Sequence, residues 1–133
     1  MKVTPYLFLG GRCQAALSFY QAAVGAEVLF LQRFKDAPQH GSEPMGPPDG
    51  VMHATIKIGD STLHVSDGDG KPQSASGFSL SLSAKDTAEG QRLFRALAED
   101  GKITAPFEKQ FWSEGFGMLT DRFGVPWMVN VEH

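Results

Sequence analysis

In residues 51–58, VMHATIKI, every second position is apolar: Met52, Ala54, Ile56 and Ile58 alternate with His53, Thr55 and Lys57. A strand sends successive side chains to opposite faces, so this run predicts a strand with one apolar and one polar face. The pattern resumes after Gly59-Asp60 in 62–66, where Leu63 and Val65 alternate with Thr62, His64 and Ser66. Two alternating runs around a Gly-Asp pair predict a β-hairpin. Residues 78–84, FSLSLSA, set Phe78, Leu80 and Leu82 against Ser79, Ser81 and Ser83. Near the end, Trp127, Val129 and Val131 alternate with Met128 and Asn130. Two more strands are expected over 3–9, with Pro5 near the start where a missing N–H is tolerated, and over 28–34.

Twice the period lengthens to that of a helix. Cys13, Ala16, Leu17, Tyr20 and Val24 form one apolar stripe over 12–24, and Gly25 follows as a left-handed cap. In DTAEGQRLFRALAEDG, Asp86 and Glu89 have capping-box spacing, and Gly101 is expected to close the helix. The rest, from 102, reads as a strand, an aromatic-rich segment and a closing hairpin. Between the second and third strands, KDAPQHGSEPMGPPDG (35–50) carries four prolines and three glycines. It predicts a long loop, of the kind that acts as a lid or stays disordered. The element order is thus βαβββ twice, about 1–70 and 77–133, within a single domain spanning 1–133. The order repeats; the residues do not.

The chain has 133 residues, with 41% hydrophobic and 20% charged positions and a net charge of −3. That is a globular composition of one-domain size. The acidic balance and the lack of a Lys/Arg cluster argue against a nucleic-acid partner. A lone cysteine, Cys13, permits neither an intramolecular disulfide nor a multi-cysteine zinc site, and its place on the helix stripe marks it as a buried thiol. The opening MKVTPYLFLGGRC is too short and too broken for a signal peptide or membrane span. A cytoplasmic protein without a membrane partner is the expectation.

The second face of these strands is polar yet carries few charges. Solvated faces usually hold more Lys and Glu, so the pattern favours a curved sheet whose concave side shelters a ligand.

Four segments resemble the PhnB-like branch of the vicinal oxygen chelate (glyoxalase/bleomycin-resistance/dioxygenase) superfamily: AALSFYQAAVGAEV, VMHATIKIGDSTLHVSD, SGFSLSLSA and FWSEGFGMLTDRFGVPWMVN. The last is the most specific, and together they span nearly the whole chain. The resemblance implies an α+β fold of tandem βαβββ modules forming curved mixed sheets with a concave cavity, usually in a homodimer. Sequences of this branch are sometimes labelled demethylubiquinone methyltransferases. The common methyltransferase architecture needs a parallel sheet and a Gly-rich loop after its first strand, which this pattern lacks.

Metal-dependent members of the superfamily draw His and Glu ligands from the first and last strands of each module. Carried over, those places hold Tyr6 or Phe8, His64 or Ser66, Ser79 or Ser81, and Met128 with Asn130. Met128 stands where relatives carry Glu. That leaves His64, with His53 across the hairpin, too few for a tight site that needs three or four such ligands. His40 and His133 are expected to be solvated. The DGDG of 67–70 lacks the Glu of a calcium loop and reads as a turn. The serines have no His–Asp pattern to activate them. Glu114 is expected to face solvent in a turn, and Asp121 to cap one.

Two functions follow. The first is a metal-free small-molecule binder without a cofactor. Tyr6, Phe8, Trp112, Phe116 and Met128 would supply apolar and stacking surface, and His53, His64, Ser66, Ser79, Ser81 and Asn130 would orient the ligand. The alternative is a metal-dependent lyase, isomerase or dioxygenase using His64.

Overall fold

The structure is a computed structural model, and it describes residues 1–36, 46–72 and 74–131. Expectations for the loop at 37–45, including His40 and its role as a lid, fall outside the described residues, as does His133. The chain divides into two compact units, Met1–Gln73 and Ser74–His133.

The first unit contains β1 (Tyr6–Phe8), α1 (Cys13–Val24), β2 (Glu27–Arg33), β3 (Val51–Ile58) and β4 (Ser61–Ser66). Its strands lie in the order β1-β4-β3-β2, with β1 parallel to β4 and the other neighbours antiparallel. The hairpin at Gly59-Asp60 forms as expected, and Gly59 takes a φ of +56° in the tight turn. Ala54, Ile56, Leu63 and Val65 are buried, so the apolar faces of β3 and β4 form this unit's core with Ala16, Leu17 and Tyr20 of α1.

The stripe on α1 ends at Ala23, which is buried, rather than at the half-buried Val24. Gly25 caps the helix in the left-handed region at φ +67°. At the other end, Arg12 offers no side-chain cap. The capping acceptor comes from far along the chain instead: Asp67 Oδ1 accepts the Cys13 N–H at 2.8 Å, and Oδ2 accepts the Val51 N–H at 2.8 Å. This buried carboxylate meets the positive end of the helix dipole and ties α1 to the start of β3. Asp67 also opens the expected DGDG turn, where Gly70 donates back to its carbonyl.

Two bulges decide which side chains share a face. Val28 pairs with Ile56 but Phe30 pairs with Thr55, so one extra residue in β2 turns Phe30 to the polar face despite its parity with Val28. The register slips again between Gln32 and Arg33, and Val51 is fully buried although it shares parity with half-exposed His53. Phe34–Asp36 then makes one 3-10 turn.

The second unit repeats the topology with β5 (Leu80–Ala84), α2 (Thr87–Ala98), β6 (Lys102–Gln110), β7 (Ser113–Thr120) and β8 (Pro126–Val131). The order is β5-β8-β7-β6, again with one parallel pair, β5 with β8. Phe78 and Ser79 precede the strand predicted to include them. Asp86 accepts the Glu89 N–H at 2.8 Å, and Glu89 reaches back to the Lys85 N–H at 3.1 Å, one residue before the usual box partner. The left-handed residue after α2 is Asp100, at φ +59°, not Gly101. Gly101 is required for space: a Cβ there would sit 2.4 Å from the Thr120 carbonyl oxygen. Phe107 of β6 likewise occupies room left by Gly90, Gly115 and Gly117, and packs 5.6 Å from Phe94 of α2.

Candidate functional site

On the polar face of the first sheet, the register places Tyr6, His64, Thr55 and Phe30 in one row across four strands. His53 sits two residues before Thr55 on the same face. Tyr6, His53 and His64 come together as three rings, with centroids 5.6 Å (Tyr6–His53), 5.7 Å (Tyr6–His64) and 4.9 Å (His53–His64) apart. Phe8 stacks on Tyr6 at 5.0 Å, and Phe30 lies 6.0 Å from His53.

Hydrogen bonds join the polar atoms into one chain. Tyr6 Oη contacts His53 Nδ1 at 3.1 Å, His53 Nε2 contacts Thr55 Oγ1 at 3.2 Å, and Thr55 Oγ1 contacts His64 Nδ1 at 3.2 Å. Burial, and after it the neighbouring His64, hold His53 below the ordinary imidazole pKa, because both disfavour a cation there. Three of the four ring nitrogens of the pair are engaged within the cluster, leaving His64 Nε2. Tyr6 and Phe8 are exposed, so the face offers about one ring's width of apolar surface beside a polar edge. Ser66 is buried, its hydroxyl accepting the Gly68 N–H at 2.9 Å, which places it at the strand end under this face.

In the second unit, the face of β7 and β8 turned away from α2 carries Phe116, Met118, Met128 and Asn130. Met118 pairs with Met128, Phe116 with Asn130, and Ser81 of β5 with Met128. Trp112, in the turn before β7, packs edge-on against Phe116 at 4.7 Å and stays exposed. Ser113, buried on the other parity, lies 2.8 Å from Asn130 Oδ1 and also within reach of the Gly115 and Val131 carbonyls, so its single hydroxyl proton has three candidate acceptors. Ser81 is exposed and Ser79 half-buried. Glu114 is not in a turn but in β7, half-buried, two residues before Phe116.

Thr55, Phe30 and Met118 were absent from the residues singled out by sequence. Thr55 was visible by parity as the residue between the two histidines. Phe30 was hidden by the bulge in β2, and the β6–β7 turn had to be placed before Met118 could be assigned a face. Among the described residues, no three His, Cys, Asp or Glu side chains are grouped so as to hold a metal ion. Cys13 is fully buried, and burial, then Asp67, push its thiol pKa up to about 12. No helix among the described residues is long and apolar enough to cross a membrane.

Paired βαβββ units, each a mixed four-stranded sheet with one helix, define a class of domain that comparison with known proteins now makes specific. The sequence model of the Glyoxalase/Bleomycin resistance protein/Dioxygenase superfamily matches residues 2–129, and the chain belongs to that superfamily. It is 40% identical to protein YjdN of Escherichia coli K12, over 98% of this chain and 95% of that one. The crystal structure of protein PA1353 from Pseudomonas aeruginosa is similar at 38% identity, with a TM-score of 0.87 covering 99% and 98% of the two chains. A Bacillus cereus PhnB protein, named a putative 3-demethylubiquinone-9 3-methyltransferase, shares the fold at 24% identity, with a TM-score of 0.81 covering 98% and 99%.

Proposed function

We propose that this protein binds a small aromatic or heterocyclic molecule, with the exposed face of the first sheet as its principal contact. The observation that carries this reading is the Tyr6–His53–His64 triangle, in which three rings within 6 Å of one another share a hydrogen-bonded chain. Clusters of this kind hold a planar ligand by stacking and orient it through a few polar atoms. Tyr6 and Phe8 supply the ring surface, and His53 and His64 the polar edge. Ser66 backs the strand end. The second unit, taken by itself, has a separate candidate surface, with Trp112, Phe116 and Met128 for apolar contact and Ser79, Ser81 and Asn130 for hydrogen bonds. The ligand needs no metal to be held by these groups. The same reading treats 1–133 as one functional domain and the protein as a homodimer, as the family resemblance implies, and takes it to be cytoplasmic.

The test is titration of chelator-treated protein with 2-naphthol, followed by the histidine and tyrosine ring resonances. Saturable shifts at Tyr6, His53 and His64 are expected, and Tyr6→Ala should weaken binding about tenfold, the worth of one good aromatic contact. Absence of saturable shifts at these rings removes the face from the binding site.

A further inference from the structure

The hydrogen-bonded chain has a proton count that restricts what it can bind. Thr55 has one hydroxyl proton and sits between His53 Nε2 and His64 Nδ1. With both imidazoles neutral, two arrangements keep every bond. In one, Tyr6 donates to His53, His53 to Thr55 and Thr55 to His64, so Tyr6 Oη faces outward as an acceptor and His64 Nε2–H as a donor. In the other, every bond is reversed, and Tyr6 O–H faces outward as the donor while His64 Nε2 is the acceptor. Either way the cluster shows one donor and one acceptor.

One added proton changes this. Placed on His64, it leaves Nδ1–H donating to Thr55, Thr55 donating to His53 and His53 donating to Tyr6, with all three internal bonds intact. Tyr6 O–H and His64 Nε2–H then both point outward as donors, on rings 5.7 Å apart. A second proton would direct two N–H groups at Thr55 Oγ1 and set two cations on rings 4.9 Å apart. The chain therefore accepts one proton readily and resists the next. We propose that this cluster is a proton-linked anion site: on taking up one proton from water it presents Tyr6 and His64 as a two-donor fork for an aromatic oxyanion, a carboxylate or phenolate.

The surroundings fit a site whose charge is set by its own proton. On β1 the facing titratable group is Tyr6. Beyond Thr55 the same face of β3 carries Lys57, opposite Glu27 of β2 in the strand register. On β4 the remaining same-face residues are Thr62 and Ser66. Among the described residues, β1, β3 and β4 carry no carboxylate that could hold a proton on the two imidazoles in the absence of a bound anion.

This inference rests on the reading of the face as an aromatic site, and the experiment separates the two. The imidazole nitrogen resonances of the full-length chain are followed from about pH 5 to about pH 8, alone and with excess benzoate or benzamide. The free protein should titrate in two separated steps. Benzoate should raise the upper step by at least about half a pH unit, and uncharged benzamide should not. Thr55→Val, nearly the same in shape, should narrow the gap between the two steps to what direct repulsion between the rings leaves, and remove most of the benzoate shift; Tyr6→Phe should reduce it. An upper step that benzoate leaves in place, or a Thr55→Val variant that titrates like the parent, overturns the proposal. If both probes shift the ring signals without moving the titration, the aromatic site stands and the proton linkage falls.

Discussion

The Trp127 indole N–H donates to Asp121 Oδ2 at 3.0 Å, anchoring β8 to the turn that precedes it. The other carboxylate oxygen accepts the Phe123 and Val125 N–H groups at 2.8 and 3.0 Å, and the residue is buried. Asp121→Ala would leave three buried donors without this acceptor, at roughly 1 kcal/mol or more each. A loss of about 3 kcal/mol in urea unfolding is expected. Trp127→Phe drops one charge-assisted bond and puts a smaller ring in a buried site, so a loss of about 1.5 kcal/mol or more is expected. An Asp121→Ala variant as stable as the parent would refute the anchoring role.

The turn after α2 makes a prediction with two signs. Asp100 pays the cost of a left-handed backbone, and its ion pair with Arg122 at 3.5 Å is exposed and weak. Asp100→Gly should be neutral or stabilise by up to about 1 kcal/mol. Gly101→Ala should destabilise by about 2 kcal/mol, because its Cβ meets backbone rather than a movable side chain. Thermal melts of the two variants distinguish a need for conformational freedom from a need for space.

Cys13 gives a reactivity test. With a pKa of about 12 and no exposed surface, it should resist a thiol reagent such as dithionitrobenzoate at mildly alkaline pH. Modification should appear only on unfolding in denaturant, with one thiol titrated. Fast labelling of native protein would contradict this burial.

Acid stability follows from His53. Its folded pKa is lowered, so between that value and the ordinary imidazole value near 6.5 the unfolded chain binds more protons than the folded one. Stability from this residue is therefore complete above about pH 6.5 and falls as pH drops toward the folded pKa. His53→Gln should flatten the dependence of the urea midpoint on pH in that window. An unchanged slope would show that His53 does not carry it.

Much of this architecture was legible in residue order. Alternation in 51–66 and 127–131 set the core faces correctly, and Gly25, Gly59, Asp86 and Asp121 fell where local chemistry placed them. What escaped has one physical origin: contacts that depend on register. The bulge in β2 moves Phe30 across the sheet, and Val51 turns inward at a second irregularity. Asp67 caps a helix over fifty residues earlier, a partnership no local pattern encodes. The two histidines were visible, but their link through Thr55 required the pairing of β3 with β4.

Crystals soaked with 6-bromo-2-naphthol in chelator-treated buffer show whether the first sheet holds an aromatic ligand. An anomalous bromine peak and ring density are expected over the first sheet, in van der Waals contact, about 4 Å, with Tyr6 and His64. That density should vanish in crystals of a Tyr6→Ala, His64→Ala double variant. Density elsewhere on the molecule, or density on this face that survives the double substitution, would contradict it.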